Sequence, residues 1–373
     1  MRGLERQVEK QKVDINASRN YGLDMLKMLS MFMVVILHIL CQGGVYANTI
    51  KMSFSYEIAW LLEIMCFCAV NCFGLISGYV GIKAKFSLSK LFYLWVMVAF
   101  YTLLLTCFFV WLYPEKNDLQ HWLRVIFPVT TNQYWYFSAY FLMYFFTPIF
   151  NKVVNELEER KLVWLSVVLI LIFSVWQIFM ETDVCCTEDG YSALWLSVLY
   201  ILGGTVRRLR HKIQISKKTA IIIYVLGVSA TWGWKAFFER INYSKVDPNM
   251  WINYISPTIL FCALGLILYF EQLNISNCFL KRAIILGAPH AFGVYLLHTQ
   301  PYIISIVLPD KFAYLATYSA GYMMFGVIIF AVGIYILCTT IDMMRSKLFE
   351  WIKIKQVLKF IDKTLTDKNI LFY

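Results

Sequence analysis

The sequence predicts an all-α, polytopic membrane protein with about ten transmembrane helices and both termini in the cytoplasm. Three observations predict it. Of 373 residues, 60% are hydrophobic and only 15% charged, with a mean hydropathy of +0.62; soluble domains are about a quarter charged. Apolar runs of about twenty residues, enough for a helix to cross the bilayer core, recur along the whole chain. Most of the 34 lysines and arginines fall on one side of these runs, and cytoplasmic loops are the ones that carry such an excess. The formal charge of +11 follows from this bias and from nearby anionic lipid headgroups. Nucleic acid is not an expected partner, because no basic run is interleaved with exposed aromatics in a soluble domain.

Residues 1–18 are polar and charged, with no apolar stretch after a short basic start. They read as a cytoplasmic lead-in and not as a cleaved signal peptide. Spans are expected near 23–42, 57–80, 91–113, 134–154, 162–181, 191–206, 219–238, 252–271, 285–306 and 316–341. In the first, Lys27 and His38 lie eleven residues apart. On a helix this spacing returns to within about 20° of its starting direction and climbs about 16 Å, so the two share one face. An ionisable group inside a membrane helix is expensive, which makes His38 a functional candidate by default. Asp24, three residues before Lys27, is a possible partner for that lysine.

The second span carries the carboxylate of Glu63, the amide of Asn71, three cysteines (Cys66, Cys68, Cys72) and interrupting glycines, with Ser77-Gly78 suited to close helix packing. Lys83, Lys85 and Lys90 follow in an inner loop. Asn132-Gln-Tyr-Trp-Tyr136 precedes the fourth span, and Asn249, Trp251, Asn253 and Tyr254 precede the eighth. Aromatics are enriched at membrane interfaces in any case, but Trp135 and Tyr136 could stack on a sugar ring. Neighbouring Cys185 and Cys186 sit in an acidic outer loop, where a disulfide between them would be strained, and the ten cysteines have no metal-type spacing. The sixth span is short; the ninth bears His298 near its middle. His121, His211 and His290 read as loop or span-end residues. Residues 344–373 alternate Leu, Ile, Val and Trp with lysines at helical spacing, an amphipathic basic helix for the inner membrane face.

Several strings resemble the integral-membrane acyltransferase family 3, which O-acylates bacterial surface polysaccharides. The first is Arg19 to His38, with the family's basic residue, ten intervening residues and histidine at Lys27 and His38. Others are Phe73-Gly-Leu-Ile-Ser77-Gly78-Tyr79, Tyr134-Trp-Tyr-Phe-Ser138-Ala-Tyr140 through Thr147-Pro148-Ile-Phe-Asn151, and Gly293-Val-Tyr-Leu-Leu-His298. Where many members carry an Arg-x-x-Arg pair after the second span, this chain has only lysines, which hold phosphate as point charges without bidentate geometry.

The resemblance implies a transmembrane acyltransferase domain over 19–343 in the plasma membrane. It would move an acyl group, acetyl being the expected one, from cytoplasmic acyl-CoA to a hydroxyl of an envelope polysaccharide or lipid-linked sugar. No tightly bound cofactor and no metal is expected. His38 would take the acceptor proton or briefly carry the acyl group; the sequence leaves both routes open. An alcohol is a poor nucleophile at neutral pH, and a histidine's ordinary pKa of about 6.5 suits a base, with burial favouring the neutral, proton-accepting form. Glu63 and His298 are further catalytic candidates. Arg19, Lys27, Lys83, Lys85 and Lys90 are candidates for the CoA phosphates, and Asn71, Trp135 and Tyr136 for the acceptor. Two other classes compete. A transporter or flippase of a lipid-linked sugar would favour matched broken helices in two halves, which are not found. A membrane sensor or assembly partner would act through the basic tail.

Overall fold

A computed structural model describes residues 19–116, 119–180 and 182–367; the lead-in expected at 1–18 lies outside them. Every regular element among the described residues is helical. Six helical stretches are long and apolar enough to cross a membrane: Tyr21–Leu40, Phe54–Gly81, Leu88–Leu112, Glu159–Phe179, Lys217–Ile241 and Ala320–Trp351. The other expected spans fall on shorter or broken helices.

Helix α1 (Tyr21–Leu40) is the axis of the fold. Its Asn20 cap accepts from Leu23 N–H (3.1 Å) and donates to Glu271 O (2.9 Å). Leu26, Val35, Ile39 and Leu40 are at most 1% exposed, because neighbours pack around it on nearly all sides: α2 (Phe54–Phe67), α3 (Ala69–Gly81), α11 (Pro257–Phe270), α12 (Cys278–Gly287), α13 (Ala291–His298) and α14 (Ala320–Trp351). A helix apolar all round is suited to such a position.

The second expected span breaks at Cys68, between α2 and α3, and not at its glycines. Those glycines serve packing instead. A Cβ on Gly78 would stand 1.9 Å from the carbonyl oxygen of Tyr200, so only glycine lets α3 approach α9 (Ala193–Arg208) this closely. Helix α4 (Leu88–Leu112) leads to the short α5 (Leu119–Ile126). The fourth span divides into α6 (Trp135–Phe145) and α7 (Thr147–Glu156) at Thr147-Pro148, where proline starts the new helix but could not have continued the old one. Helix α8 (Glu159–Ile170) runs into a wider π-type turn at Leu171–Trp176, while α10 (Lys217–Ile241) is continuous and packs along α11.

The ninth span, expected to be continuous over 285–306, is also in pieces. Pro289 interrupts it between α12 and α13, and Pro301 ends it just past His298. Gln300 Oε1 then accepts from the N–H groups of Tyr302 (2.7 Å) and Ile303 (3.2 Å), satisfying backbone that the break frees.

Helix α14 continues to Trp351, past the expected boundary at 343/344, and holds a buried network. Asp342, fully buried, accepts from Tyr101 Oη (2.7 Å) and from Arg345 Nε and Nη2 (2.9 Å each), and shares a 2.6 Å bond with His290 Nδ1. Arg345 Nη1 donates to Tyr93 Oη (3.0 Å). The structure thus corrects the reading of His290 as a span-end residue without a role: it helps hold α14 to α4 and α13. Gly293 makes the fit possible, since a Cβ there would meet the Asp342 carboxyl at 2.1 Å. The ten cysteines, including Cys185 and Cys186, are free. The tail forms α15 (Ile354–Asp367), seated on α4.

Candidate active site

One face of α1 lines a cavity of about 770 Å³. Lys27, Met31, Val34 and His38 border it at helical spacing, so the cavity follows the helix for about 16 Å at 1.5 Å per residue, and Cys41 and Gln42 continue the lining just past its end. Lys27 stands at one end, with Ser77, Leu94, Tyr140 and Phe292. The other end is closed by Trp135 at the start of α6 and by Asn132, Gln133, Tyr191, Asn249 and Tyr254 from the inter-helix segments. His38 lies between them, with Trp60 and Glu63 of α2 and Tyr136 and Tyr295 also in the wall.

The break that ends α13 at His298 brings that ring against His38. His298 Nε2 is 3.0 Å from His38 Nδ1, and His298 Nδ1 is 2.6 Å from the carbonyl oxygen of Val294. A carbonyl only accepts, so His298 Nδ1 carries a proton toward it and, in the neutral ring, Nε2 holds the lone pair. His38 must then donate from Nδ1. Its Nε2 is left as the proton-accepting atom. Two neutral rings in series therefore select one tautomer of His38, as the orienting group of a catalytic histidine does.

The far half of the cavity is built to hold something polar. Glu63 Oε2, Trp60 Nε1 and Gln42 Oε1 are buried without a hydrogen-bond partner, and leaving such groups unsatisfied costs about 1–3 kcal/mol each. Flat rings surround them. Tyr46 stacks on Trp60 (4.8 Å between centroids), Trp135 on Tyr254 (5.9 Å), and Tyr191 meets Trp135 at 4.5 Å.

The structure gathers His38, His298, Glu63, Lys27, Trp135 and Tyr136 at or directly behind one cavity. Asn71 stands apart from it. Its amide donates to Tyr254 O (2.8 Å) and accepts from Trp195 Nε1 (3.0 Å), so it braces the aromatic wall from behind. Asp24 pairs with Arg19 and not with Lys27, which leaves the Lys27 side chain facing the cavity. Lys83, Lys85 and Lys90 are exposed, and none of them borders the main cavity. Gln42, Tyr46 and Trp60 went unread in the sequence. Trp60 lies three residues before Glu63 on α2, whereas Gln42 and Tyr46 follow the end of α1 at Leu40, where no helical spacing points to them. Among the described residues no cluster of metal-ligating side chains occurs.

The helical bundle that holds this histidine pair is that of a membrane acyltransferase, on the strength of one comparison. A statistical description of the acyltransferase domain matches residues 20–344. The chain belongs to that family, the integral-membrane acyltransferase family 3 that its motifs resemble. No curated protein and no solved structure matches it.

Proposed function

We propose that the protein transfers an acetyl group from acetyl-CoA to a hydroxyl of an envelope or extracellular polysaccharide sugar, at the plasma membrane and with both termini cytoplasmic. The tautomer chain carries this reading. Val294 O, His298 and His38 leave a lone pair on His38 Nε2, the atom that an acceptor hydroxyl needs opposite it. In direct transfer, the hydroxyl proton moves to His38 Nε2 as the sugar oxygen bonds to the thioester carbonyl carbon. The carbon–sulfur bond breaks, and the thiolate of CoA recovers the proton. While His38 is protonated, its Nδ1–H points at His298 Nε2, so the charge is stabilised across both rings. In the alternative route, His38 Nε2 attacks the thioester carbonyl carbon and the carbon–sulfur bond breaks to release the thiolate of CoA; the sugar oxygen then takes the acetyl group from Nε2, and its proton passes to that thiolate.

The donor enters from the Lys27 end, where the ammonium meets its phosphates. The sugar occupies the aromatic half and supplies hydroxyls to Glu63, Trp60 and Gln42. Family membership does not favour the transporter reading.

The test is ester-linked acetyl on surface polysaccharide in cells lacking the gene, complemented with wild type or with well-expressed His38→Ala. The expected result is restoration by wild type alone, the variant falling by about 10²–10⁴-fold, the usual weight of a general base. Equal restoration by both would remove His38 from the chemistry. Mass-spectrometric detection of acetyl on His38 in enzyme given donor without acceptor separates the covalent route from direct transfer.

A further inference from the structure

The tail helix does more than lie on the membrane face. Asp362 of α15 accepts from Ser87 Oγ (2.7 Å) and from Ser89 N–H (2.9 Å), which fixes the tail against the first turns of α4. A plain anchor needs no such clamp. Leu358 is buried in the same interface. Between tail and α4 lies a second cavity of about 390 Å³.

Its lining combines Lys90 of α4 with Lys355 and Lys359 of α15, and no acidic residue lines it. The two tail lysines are four residues apart, hence on one helix face. All three are exposed and hydrated, and Lys355 Nζ sits 5.3 Å from the centre of the Tyr93 ring, which shares the lining. Leu94 and Tyr140 border this cavity and the main one alike. A basic cleft therefore shares a wall with the chamber that contains His38.

We infer that the tail helix completes a phosphate-binding vestibule in which Lys90, Lys355 and Lys359 hold the phosphorylated nucleotide end of the acyl donor, while its thioester arm passes Leu94 and Tyr140 toward His38. This rests on the acyl-CoA reading. The vestibule joins two lysines of α15 to Lys90 of α4 in one lining, which Lys83 and Lys85 of the inner loop do not share. Lysines suit a multiply phosphorylated group whose contacts are point charges.

The experiment uses the full-length protein in neutral detergent and compares binding of CoA with binding of pantetheine, which keeps the arm but lacks the phosphates. Lys355→Gln/Lys359→Gln should weaken CoA by roughly tenfold, on the order of two exposed charge contacts, and flatten its salt dependence. Pantetheine binding should not change. Arginine at both positions should restore CoA, and Lys217→Gln/Lys218→Gln, an equal charge loss elsewhere, should leave it intact. Asp362→Asn, which frees the clamp, should weaken CoA in the same direction. If the tail double variant keeps its CoA affinity but loses thermal stabilisation by added phosphatidylglycerol, the lysines belong to lipid headgroups and the vestibule is overturned. Unchanged binding of both overturns it too. Failure of wild type to bind CoA at all would sink the acyl-CoA reading itself, and the vestibule with it.

Discussion

Replacing His298 with phenylalanine keeps the ring volume but removes the acceptor that fixes the His38 tautomer. In the native protein His38 Nδ1–H meets His298 Nε2 at 3.0 Å. In the variant that N–H faces carbon in a buried setting, and an orphaned donor of this kind costs about 1–3 kcal/mol. The ring escapes the cost by moving its proton to Nε2, which removes the lone pair that the proposed transfer needs. At 1.36 kcal/mol per decade of rate, kcat should fall roughly 5- to 150-fold. KM for both substrates should hold, because the loss arises only where a proton is transferred. His298→Gln can present its amide oxygen to His38 Nδ1 and should recover part of the rate. The assay is acetyl transfer from radiolabelled acetyl-CoA to acceptor by purified protein, with thermal unfolding as the control for folding. A double variant with His38→Ala should be no slower than His38→Ala alone, since the two rings act as one unit. Wild-type kcat in His298→Phe, or additive losses in the double variant, would refute the tautomer argument.

Glu63→Gln keeps the shape of the cavity but changes an unpartnered buried oxygen; it should lower kcat/KM for the sugar and leave KM for the donor unchanged, as steady-state kinetics with each substrate varied would reveal. Arg345→Met strips Asp342 of its charge partner in a site where the carboxylate is fully buried, so stability should fall by about 3–5 kcal/mol, read as a lower unfolding midpoint and a poor yield of folded protein. For Asp362, burial alone would raise the carboxyl pKa, but hydrogen bonds from Ser89 and Ser87 outweigh it and hold the group below the usual carboxylate range. A depressed folded-state pKa means that the clamp contributes fully above the unfolded value of about 3.9 and is lost as pH falls through the lower folded one. The tail should therefore stay docked at neutral pH and loosen only in that acidic window, whereas Asp362→Asn should loosen it at pH 7. Limited proteolysis of the tail reads both, and an Asp362→Asn tail as protected as wild type would refute the clamp.

The part of the site carried by one helix was legible in advance, because helical geometry is local. Eleven residues close three turns, and Lys27 and His38 accordingly border the same cavity. The partner of His38 lies 260 positions away, and no local pattern encodes that distance. Its approach depends on Pro301 stopping α13, a signal that the hydrophobic run concealed because span length alone was read there. Pro148 likewise divides the apolar run at 134–154 into two helices. Asp342 and Arg345 were passed over for a related reason. They flank the expected end of an apolar run, where charged residues look like a boundary, yet an acid and a base three apart on one helix can neutralise each other and let the helix continue inside.

These particulars bear on why the cavity tolerates unpartnered polar atoms at all. A stability-optimised bundle would replace Glu63 and Trp60 with aliphatic side chains like the neighbouring Ile64, Ala69 and Leu75. Three such atoms, on Gln42, Trp60 and Glu63, stand in the chamber beside His38, and the fold offsets their cost elsewhere. It does so through the apolar packing around α1 and through the satisfied network at Asp342, whose carboxylate oxygens are both occupied. A network with its carboxylate partners filled thus stands in the same chain as a chamber with three atoms left open. Buried polar groups that are satisfied rigidify a protein. Those left open in a cavity beside a histidine with a free lone pair fit the requirement of a site that must exchange its hydrogen bonds with a hydroxyl-rich ligand at every turnover.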